Sequence, residues 1–323
     1  RGQKDEFKVE ISTLGRLSKL RIRHDNSGLS PAWKIQEITC SHIDTNATYN
    51  FVTSDGNGVW LSRRDGDSEI VRELPASGPL ITTPLEVVPY VVHVKTGNDG
   101  TDANVTLTVY GSKGDSGPRE LRKSRTHRNK FEKGHTDTFE LLAADLGKLS
   151  HVHIAHDNRG IGAAWMLDDV RITPGASSSE KDGNTFDAEA VFPCNRWLAR
   201  NEDDGAIERT LPLLGTIGLV EATTTYIIHV KTGTVKGAGT DASVHLTLYG
   251  DDNDTGIHKL AKSETFRDKF ESGHTDRFRF ESVNLGKLRK IVVGHDNGGL
   301  GGAWYLEDVV VEVPSEGKKY KFP

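Results

Sequence analysis

The chain has 323 residues, of which 35% are apolar and 27% are charged, and its formal net charge is -5. This length leaves room for two or three domains with real cores. The slightly acidic balance does not support a nucleic-acid partner for the whole chain, so none is expected. No apolar run could span a membrane and no signal peptide opens the sequence, so membrane contact is expected to be peripheral. The only cysteines are unmatched in the repeat described below, which favours a reducing compartment over a disulfide framework.

A loop beginning His-Asp-Asn occurs three times with the same spacing to a tryptophan. Residues 24–33 read HDNSGLSPAW, residues 156–165 read HDNRGIGAAW and residues 295–304 read HDNGGLGGAW. Other stretches recur too, such as VHVKTG at 92–97, which returns as IHVKTG at 228–233. The chain is therefore predicted to be an array of repeats of roughly 135 residues.

In chain order, the repeat divides the sequence into five segments. Residues 1–74 are predicted to be the C-terminal part of a first copy, 75–89 a linker, 90–211 a complete copy, 212–225 a second linker, and 226–323 a copy that lacks its closing strand. Apolar residues alternate at period two within the copies, and Gly, Asn and Asp turns separate the alternating stretches. The fold class is therefore all-β: tandem antiparallel β-sandwiches of about eight strands, one complete and two truncated.

The motifs KTG, GTDA, LTLYG, FExGHTD, LGKLxKI, GHDNxGxGxAWxLxDV and FPCNRWL, in this order, resemble the PLAT domain, also called the lipoxygenase homology domain. This resemblance covers almost the whole chain. It implies a C2-like eight-stranded β-sandwich that binds lipids or proteins, in several members with calcium on the loops at one end. For a tandem array it also implies further PLAT repeats in the parent chain, a cytoplasmic, peripheral position at the plasma membrane of hair-cell stereocilia, and a role in hearing.

Calcium takes six to eight oxygen ligands, and by resemblance to calcium-binding PLAT domains two loops of each copy lie side by side to provide them. The candidate ligands of the middle copy, with the first two acting through backbone carbonyls, are Thr96, Gly97, Asn98, Asp99, Asp102, Asp157 and Asn158. The candidates of the third copy, which has no equivalent of Asp99, are Thr232, Gly233, Asp241, Asp296 and Asn297. The alternative is that these residues only form turns, because Asp and Asn side chains bond the local backbone and tolerate left-handed conformations.

The histidines of the three loops, His24, His156 and His295, allow a zinc or catalytic interpretation. A zinc site would require His135 and His274 of the GHTD motifs to converge with them, and nothing in the spacing compels this. We favour hydrogen-bonded histidines at strand ends. No Ser or Cys has a base at a fixed offset, so we expect that the chain is not an enzyme.

The tryptophans of the three loops, Trp33, Trp165 and Trp304, have two interpretations. They could insert into a membrane at the loop tips, or they could lie in the core. In AWMLDDVRI, Trp165 and Leu167 share one face before the register shifts, as expected for a core tryptophan that enters a strand with a bulge. We favour the core.

One basic segment, residues 119–134, has no equal in the other copies. Its basic residues are Arg119, Arg122, Lys123, Arg125, Arg128, Lys130 and Lys133. Each basic residue near an anionic bilayer contributes about 1 kcal/mol of attraction, so these residues are candidates for lipid binding. The alternative is a solvated loop face.

The leading expectation is a non-enzymatic scaffold that binds membrane proteins or anionic phospholipid at the cytoplasmic membrane face, with calcium as a modulator. Two alternatives stay open. One is a purely protein-binding array with structural acidic loops, and the other is a regulatory module of a lipid enzyme, which suits tandem copies less well.

Overall fold

The computed structural model describes residues 2–11, 14–52, 57–66, 68–174, 189–214, 223–299 and 302–323. In these ranges the regular structure is β apart from one 3-10 turn at Pro314–Glu316. They contain no helix with the length and apolar character needed to cross a membrane. The chain divides into two compact units, the first built mainly from Arg1–Pro89 and the second from most of the remaining chain.

Within its described residues, the first unit contains six short strands. They are β1 (Lys19–Arg23), β2 (Trp33–Ile35), β3 (Glu37–Ser41), β4 (Thr48–Val52), β5 (Val59–Leu61) and β6 (Val71–Pro75). They pair antiparallel as β1 with β6, β2 with β5 and β3 with β4. Tyr49, Phe51, Leu74 and Ala76 form the buried centre of this unit.

The middle copy is a two-sheet sandwich. Its strands are β7 (Val87–Thr96), β8 (Val105–Gly111), β9 (Gly114–Asp115), β10 (Arg119–Glu120), β11 (Thr136–Ala144), β12 (Leu149–His156), β13 (Trp165–Pro174), β14 (Ala190–Leu198) and β15 (Glu208–Pro212). One sheet has the order β10-β8-β12-β15 and the other β11-β7-β13-β14, while β9 pairs with β8. Two four-stranded antiparallel sheets confirm the predicted eight-stranded sandwich, with the two-residue β9 as an addition.

The third copy repeats this arrangement. Its strands are β16 (Thr223–Thr232), β17 (Val244–Tyr249), β18 (His258–Lys259), β19 (Thr275–Val283), β20 (Lys290–His295), β21 (Leu306–Val313) and β22 (Lys318–Phe322). The sheets have the orders β19-β16-β21-β22 and β18-β17-β20. Within the described residues β20 therefore pairs with β17 alone, whereas its counterpart β12 lies between β8 and β15. The predicted domain boundaries stay a prediction, and most of the second linker lies outside the described residues.

Alternation along the strands builds the core of the middle copy. Val92 and Val94 of β7 are fully buried, as are Trp165 and Leu167 of β13. The pairing of β13 shifts register between Leu167 and Asp169 on both sides of the strand. The predicted bulge is therefore present, and it keeps the apolar face of β13 towards the core on both sides of the irregularity.

In the middle and third copies, the tryptophan that follows the His-Asp-Asn loop is held by the threonine of the KTG motif. Trp165 is fully buried and donates its indole N–H to Thr96 Oγ1 at 3.1 Å. Trp304, which is half-buried, makes the same bond to Thr232 Oγ1 at 3.1 Å. Trp33 of the first unit is 46% exposed. The core interpretation therefore holds for the middle and third copies and is wrong for Trp33.

Candidate functional site

The basic segment packs against the first predicted calcium loop, residues 96–102, which we call the acidic loop. The Thr101 N–H donates to the Phe131 carbonyl at 3.0 Å, and the Gly134 N–H donates to the Gly97 carbonyl at 2.9 Å. These two bonds bring the basic segment and the acidic loop to the same end of the sandwich.

The second predicted calcium loop, residues 156–163, lies on the other side of the acidic loop, and we call it the HDN loop. Thr101 Oγ1 donates to the Ala163 carbonyl at 3.1 Å. A Cβ placed on Gly160 would lie 3.1 Å from the Cβ of Asp102, so the two loops are in close contact. The side-by-side placement that the resemblance implied is thus present in the structure.

The Asp157 carboxylate fixes the shape of the HDN loop. It accepts the Asn104 backbone N–H at 3.1 Å, the Asn104 side-chain amide at 2.7 Å and the Arg159 N–H at 3.1 Å. Partial burial acts in the opposite direction, but these hydrogen bonds lower the pKa of Asp157 below its usual value. The loop is therefore tied to the start of β8 by an ionised carboxylate.

The matching aspartates repeat part of this pattern. Asp296 accepts the Ser243 N–H at 2.9 Å and the Gly298 N–H at 3.0 Å. Asp25 accepts the Ser27 N–H at 2.9 Å. The loop aspartate therefore forms a turn with the local backbone in all three copies.

The histidine of the HDN loop ends its strand with both ring nitrogens hydrogen-bonded. His156 Nε2 lies 2.9 Å from the Leu198 carbonyl, which can only accept, and Nδ1 accepts the Asn158 N–H at 3.1 Å. Burial lowers the pKa of His156, so the ring is neutral. His24 makes the equivalent bond to the Leu61 carbonyl at 3.0 Å. The predicted role of hydrogen-bonded strand ends is confirmed for these histidines.

The GHTD histidine of the middle copy belongs to a different cluster. His135 stacks on His127 with ring centroids 4.0 Å apart. The fully buried Asp137 accepts the Phe131 N–H at 2.7 Å and lies 3.3 Å from His127 Nδ1. In the third copy Phe266 occupies the place of His127. The GHTD histidine thus does not share its partners with the HDN histidine.

In the middle copy the two predicted calcium loops contact each other, but their candidate ligand side chains do not form a ligand shell. Asn98, Asp99, Asp102, Asp157 and Asn158 are all exposed. Some His, Cys, Asp and Glu residues form groups of three whose ligand atoms lie within 4.8 Å of one another. Among the described residues, these groups do not include the loop carboxylates. Calcium binding here therefore requires the exposed side chains to turn towards a common centre.

The backbone carbonyls of the predicted set are partly engaged. The Gly97 carbonyl accepts one hydrogen bond, from the Gly134 N–H, which leaves room for a cation on its second lone pair. The Gly233 carbonyl accepts both the Gly273 N–H at 2.9 Å and the Ser272 hydroxyl at 3.2 Å. Within the described residues, the Gly97 carbonyl thus accepts one hydrogen bond fewer than the Gly233 carbonyl.

The third copy also brings its two loops together. A Cβ on Gly299 would lie 2.6 Å from the Cβ of Asp241. The Asn297 side-chain oxygen lies 2.6 Å from the Cβ position of Gly302. Because Asp241 is the only carboxylate of its loop, this copy has one acidic side chain fewer than the middle copy.

The basic segment differs from the predicted surface at Arg119, which is buried, and in part at Lys130, which is half-buried. Arg119 is 5% exposed and donates its Nε–H to the Ser116 carbonyl at 3.0 Å, so it lies in the interior and cannot contact a headgroup. Arg122 lies 3.6 Å from a Glu120 oxygen, and Arg125 forms an ion pair with Glu140. The exposed basic residues of the segment are Arg122, Lys123, Arg125, Arg128 and Lys133.

Comparison with known proteins agrees with this architecture. The family model for the PLAT/LH2 domain matches residues 1–69, 90–212 and 226–323. The chain belongs to the PLAT/LH2 domain family. It is 36% identical over 323 residues to human lipoxygenase homology domain-containing protein 1, covering 99% of this chain and 15% of that protein. The mouse protein of the same name matches equally. The chain thus spans about 15% of the length of these relatives.

Other known proteins match over shorter stretches. Human polycystin-1 is 38% identical over 109 residues, which is 33% of this chain and 2% of that protein. Among solved structures, the coral 8R-lipoxygenase crystal structure aligns with a TM-score of 0.31 and 28% identity over 42% of this chain and 17% of that chain.

Two residues beside the PLAT loops were not singled out from the sequence. Asp168, just after the core tryptophan, has one carboxylate oxygen 2.5 Å from the Cβ position of Gly97 and the other 3.2 Å from Lys95 Nζ. It is a further carboxylate beside the acidic loop. In the third copy Glu307 and Lys231 form the matching ion pair at 2.5 Å. The adjacent pair Asp168 and Asp169, which follows Trp165 in the sequence, is the signal from which this carboxylate could have been predicted.

The second missed feature is an aliphatic side chain at the tip of the HDN loop. Ile161 is 95% exposed, and Leu29 at the same place in the first copy is fully exposed. Leu300 has this place in the sequence of the third copy and lies outside the described residues. The signal in the sequence is an aliphatic residue five positions after each loop histidine.

Proposed function

We propose that the chain is a non-enzymatic PLAT-repeat scaffold that binds anionic phospholipid or membrane proteins at the cytoplasmic face of the plasma membrane. Calcium on the loops of the middle copy would strengthen this attachment. The observation that carries the proposal is the composition of one end of the sandwich: the acidic loop lies between the basic segment and the HDN loop with its exposed Ile161. Hair-cell stereocilia, a role in hearing and further repeats stay predictions from the resemblance.

The charges at this end explain why calcium would matter. Asp99, Asp102 and Asp157 repel an anionic bilayer, while Arg128 and Lys133 attract it at about 1 kcal/mol each. A calcium ion held by the carboxylates cancels most of the repulsion and leaves the basic residues unopposed. Bilayer attachment is therefore expected to be weak without calcium and stronger with it.

The exposed aliphatic tip adds an apolar contribution. Ile161 is 95% exposed, and complete burial of such a side chain contributes about 1.5–3 kcal/mol. If the tip enters the bilayer, this corresponds to roughly 10-fold to 150-fold in affinity. A tip flanked by basic and calcium-bound groups is suited to shallow insertion at the headgroup level.

Vesicle binding tests whether the chain binds anionic phospholipid, as proposed. The full chain is mixed with vesicles of phosphatidylcholine, with or without phosphatidylserine, in calcium or in chelator. Retention on phosphatidylserine vesicles should need calcium and should fall about 10-fold or more in Ile161→Ser. The matched control is Val292→Ser on β20, where the side chain is also exposed at 46%. Absence of retention in every condition would leave the protein-binding array as the function.

Calorimetric titration with calcium tests the loop assignment separately. The middle copy should bind calcium in the full chain and lose it in Asp99→Asn and in Asp102→Asn, because both side chains are exposed on the acidic loop. Asp44→Asn, an exposed turn residue of the first copy, is the control. Equal heats in all four proteins would show that the loop carboxylates only form turns.

A further inference from the structure

A second polar cluster lies where the middle copy meets the third copy. His153 is in the middle of β12 and Glu208 begins β15, while His258 begins β18 of the third copy. The pairing of β12 with β15 sets Ala155 opposite Glu208, so His153 and Glu208 are diagonal neighbours on one face of the sheet. His153 is 6% exposed and His258 is 2% exposed.

The three side chains approach one another closely. His258 Nδ1 lies 2.9 Å from one Glu208 oxygen, and His153 Nε2 lies 3.9 Å from the other. One ligand atom from each residue lies within 4.8 Å of the other two. Two imidazoles and one carboxylate from two successive repeats therefore surround a common point.

The hydrogen bonds of His258 determine which of its nitrogens is available. His258 Nε2 lies 3.1 Å from the Thr255 carbonyl; a carbonyl oxygen can only accept, so Nε2 carries the hydrogen. In the neutral ring, Nδ1 then directs a lone pair at the Glu208 carboxylate, which is also an acceptor. Two acceptors 2.9 Å apart need a cation between them, either a proton on Nδ1 or a metal ion.

His153 distinguishes these two cases. Within the described part of the chain its buried Nε2 has no hydrogen-bond partner. A proton on His258 Nδ1 satisfies the pair with Glu208 but leaves this nitrogen unexplained, and a buried polar atom without a partner costs about 1–3 kcal/mol. A metal ion would engage all three groups at once.

We propose that His153, Glu208 and His258 bind one Zn²⁺ ion that joins the middle and third copies. Zinc takes two histidine nitrogens and a carboxylate in tetrahedral sites, with water in the fourth position. The bond from His258 to the Thr255 carbonyl is the outer contact that typically orients a zinc-binding histidine. Burial lowers the pKa of His153 to about 4, so its ring is neutral at pH 7 and has a lone pair to give.

The cluster of His127, His135 and Asp137 does not have the same support. His135 Nδ1 is buried without a partner in the described residues, but so is His274 Nδ1 of the third copy, where Phe266 stands in place of His127. The unpartnered nitrogen thus belongs to the stacking arrangement that both copies share. His127→Phe copies the third copy's own residue and serves as the matched control.

Zinc titration of the metal-free full chain, in competition with a chromophoric chelator, tests the proposal. One equivalent of zinc should bind, and His153→Gln and His258→Gln should each weaken binding at least about 100-fold. His127→Phe should bind as the parent does. Cobalt should give the visible absorption of a tetrahedral site in the parent and in His127→Phe, and lose it in the other two variants.

Three outcomes would overturn the proposal: no zinc in the parent, unchanged binding in both glutamine variants, or loss confined to His127→Phe. Circular dichroism establishes that each variant is folded. If a histidine variant fails to fold, Glu208→Gln decides, because it keeps the size of the side chain and an oxygen facing His258 but removes the charged ligand. Undiminished zinc affinity in that variant would equally contradict the site.

Discussion

Replacing the middle-copy tryptophan is a direct test of what the repeated loop is for. Trp165 is fully buried, packs against Phe131 with ring centroids 5.3 Å apart and donates to Thr96 Oγ1. Removing a buried tryptophan side chain costs about 3–5 kcal/mol. For a unit of more than 200 residues, each kcal/mol lowers the melting temperature by about 2–4 °C. Trp165→Ala should therefore melt roughly 6–20 °C below the parent.

Two companion variants separate the contributions. Trp165→Phe keeps an aromatic ring beside Phe131 but loses the bond to Thr96, so we expect a cost of about 1–3 kcal/mol. Trp33→Ala changes the matching residue of the first unit, which is 46% exposed, and should cost no more than about 1.5 kcal/mol. Thermal unfolding followed by far-ultraviolet circular dichroism measures all three without relying on tryptophan fluorescence.

The opposite pattern would refute the core assignment. If Trp165 inserted into membranes instead, Trp165→Ala would have the same melting temperature as the parent and would no longer be retained on vesicles. A loss of stability equal to that of Trp33→Ala would likewise contradict the difference in burial on which the expected ranking depends.

Three further variants test other parts of the fold. Two hydrogen bonds from Arg209, at 2.7 and 3.0 Å, lower the pKa of Asp204 to about 2 from 3.8. Because the pKa is depressed in the folded state, the ionised carboxylate stabilises the fold fully above pH 4, and this contribution is lost as the pH falls towards 2. In Asp204→Asn the urea midpoint of unfolding should therefore fall less steeply between pH 4 and pH 2 than in the parent. An equally steep fall in both proteins would contradict this role of Asp204. A Cβ on Gly250 would overlap the Leu285 carbonyl oxygen, so Gly250→Ala should lower the unfolding free energy by about 1–3 kcal/mol in urea titrations. Asp157→Ala removes three hydrogen bonds at an exposed site, so it should cost about 1–2 kcal/mol and speed amide exchange in the HDN loop; unaltered exchange would show that the carboxylate does not hold the loop.

The long strands could be predicted from the sequence because each buries one face and so alternates at period two. The ten-residue β7 and β16 show this pattern clearly. The two-residue β9, β10 and β18 carry no such signal, since their pairing depends on the neighbouring strand β8 or β17. Local pattern therefore identified the sandwich, whereas its short edge strands depend on tertiary contact.

The candidate sites were less accessible to sequence reasoning, for a physical reason at each residue. Arg119 was expected on the surface because arginine is rarely buried without a partner, but its guanidinium reaches the Ser116 carbonyl in the interior. His258 and Glu208 come from different repeats and share no motif. Only the packing of the middle copy against the third brings them together, so no spacing in one repeat could reveal them.

Comparison of the copies shows where their functions can differ. The motifs they share perform structural tasks: the loop aspartate bonds local backbone, and the KTG threonine holds the buried tryptophan. Some residues of the two proposed ion sites differ between copies, because Asp99 has no equivalent in the third copy and Glu208 and His258 come from different copies. Because the proposed calcium and zinc sites use separate residues, loss of zinc in His153→Gln should leave calcium-dependent vesicle binding intact. Only a change in how the middle copy meets the third could couple the two ions.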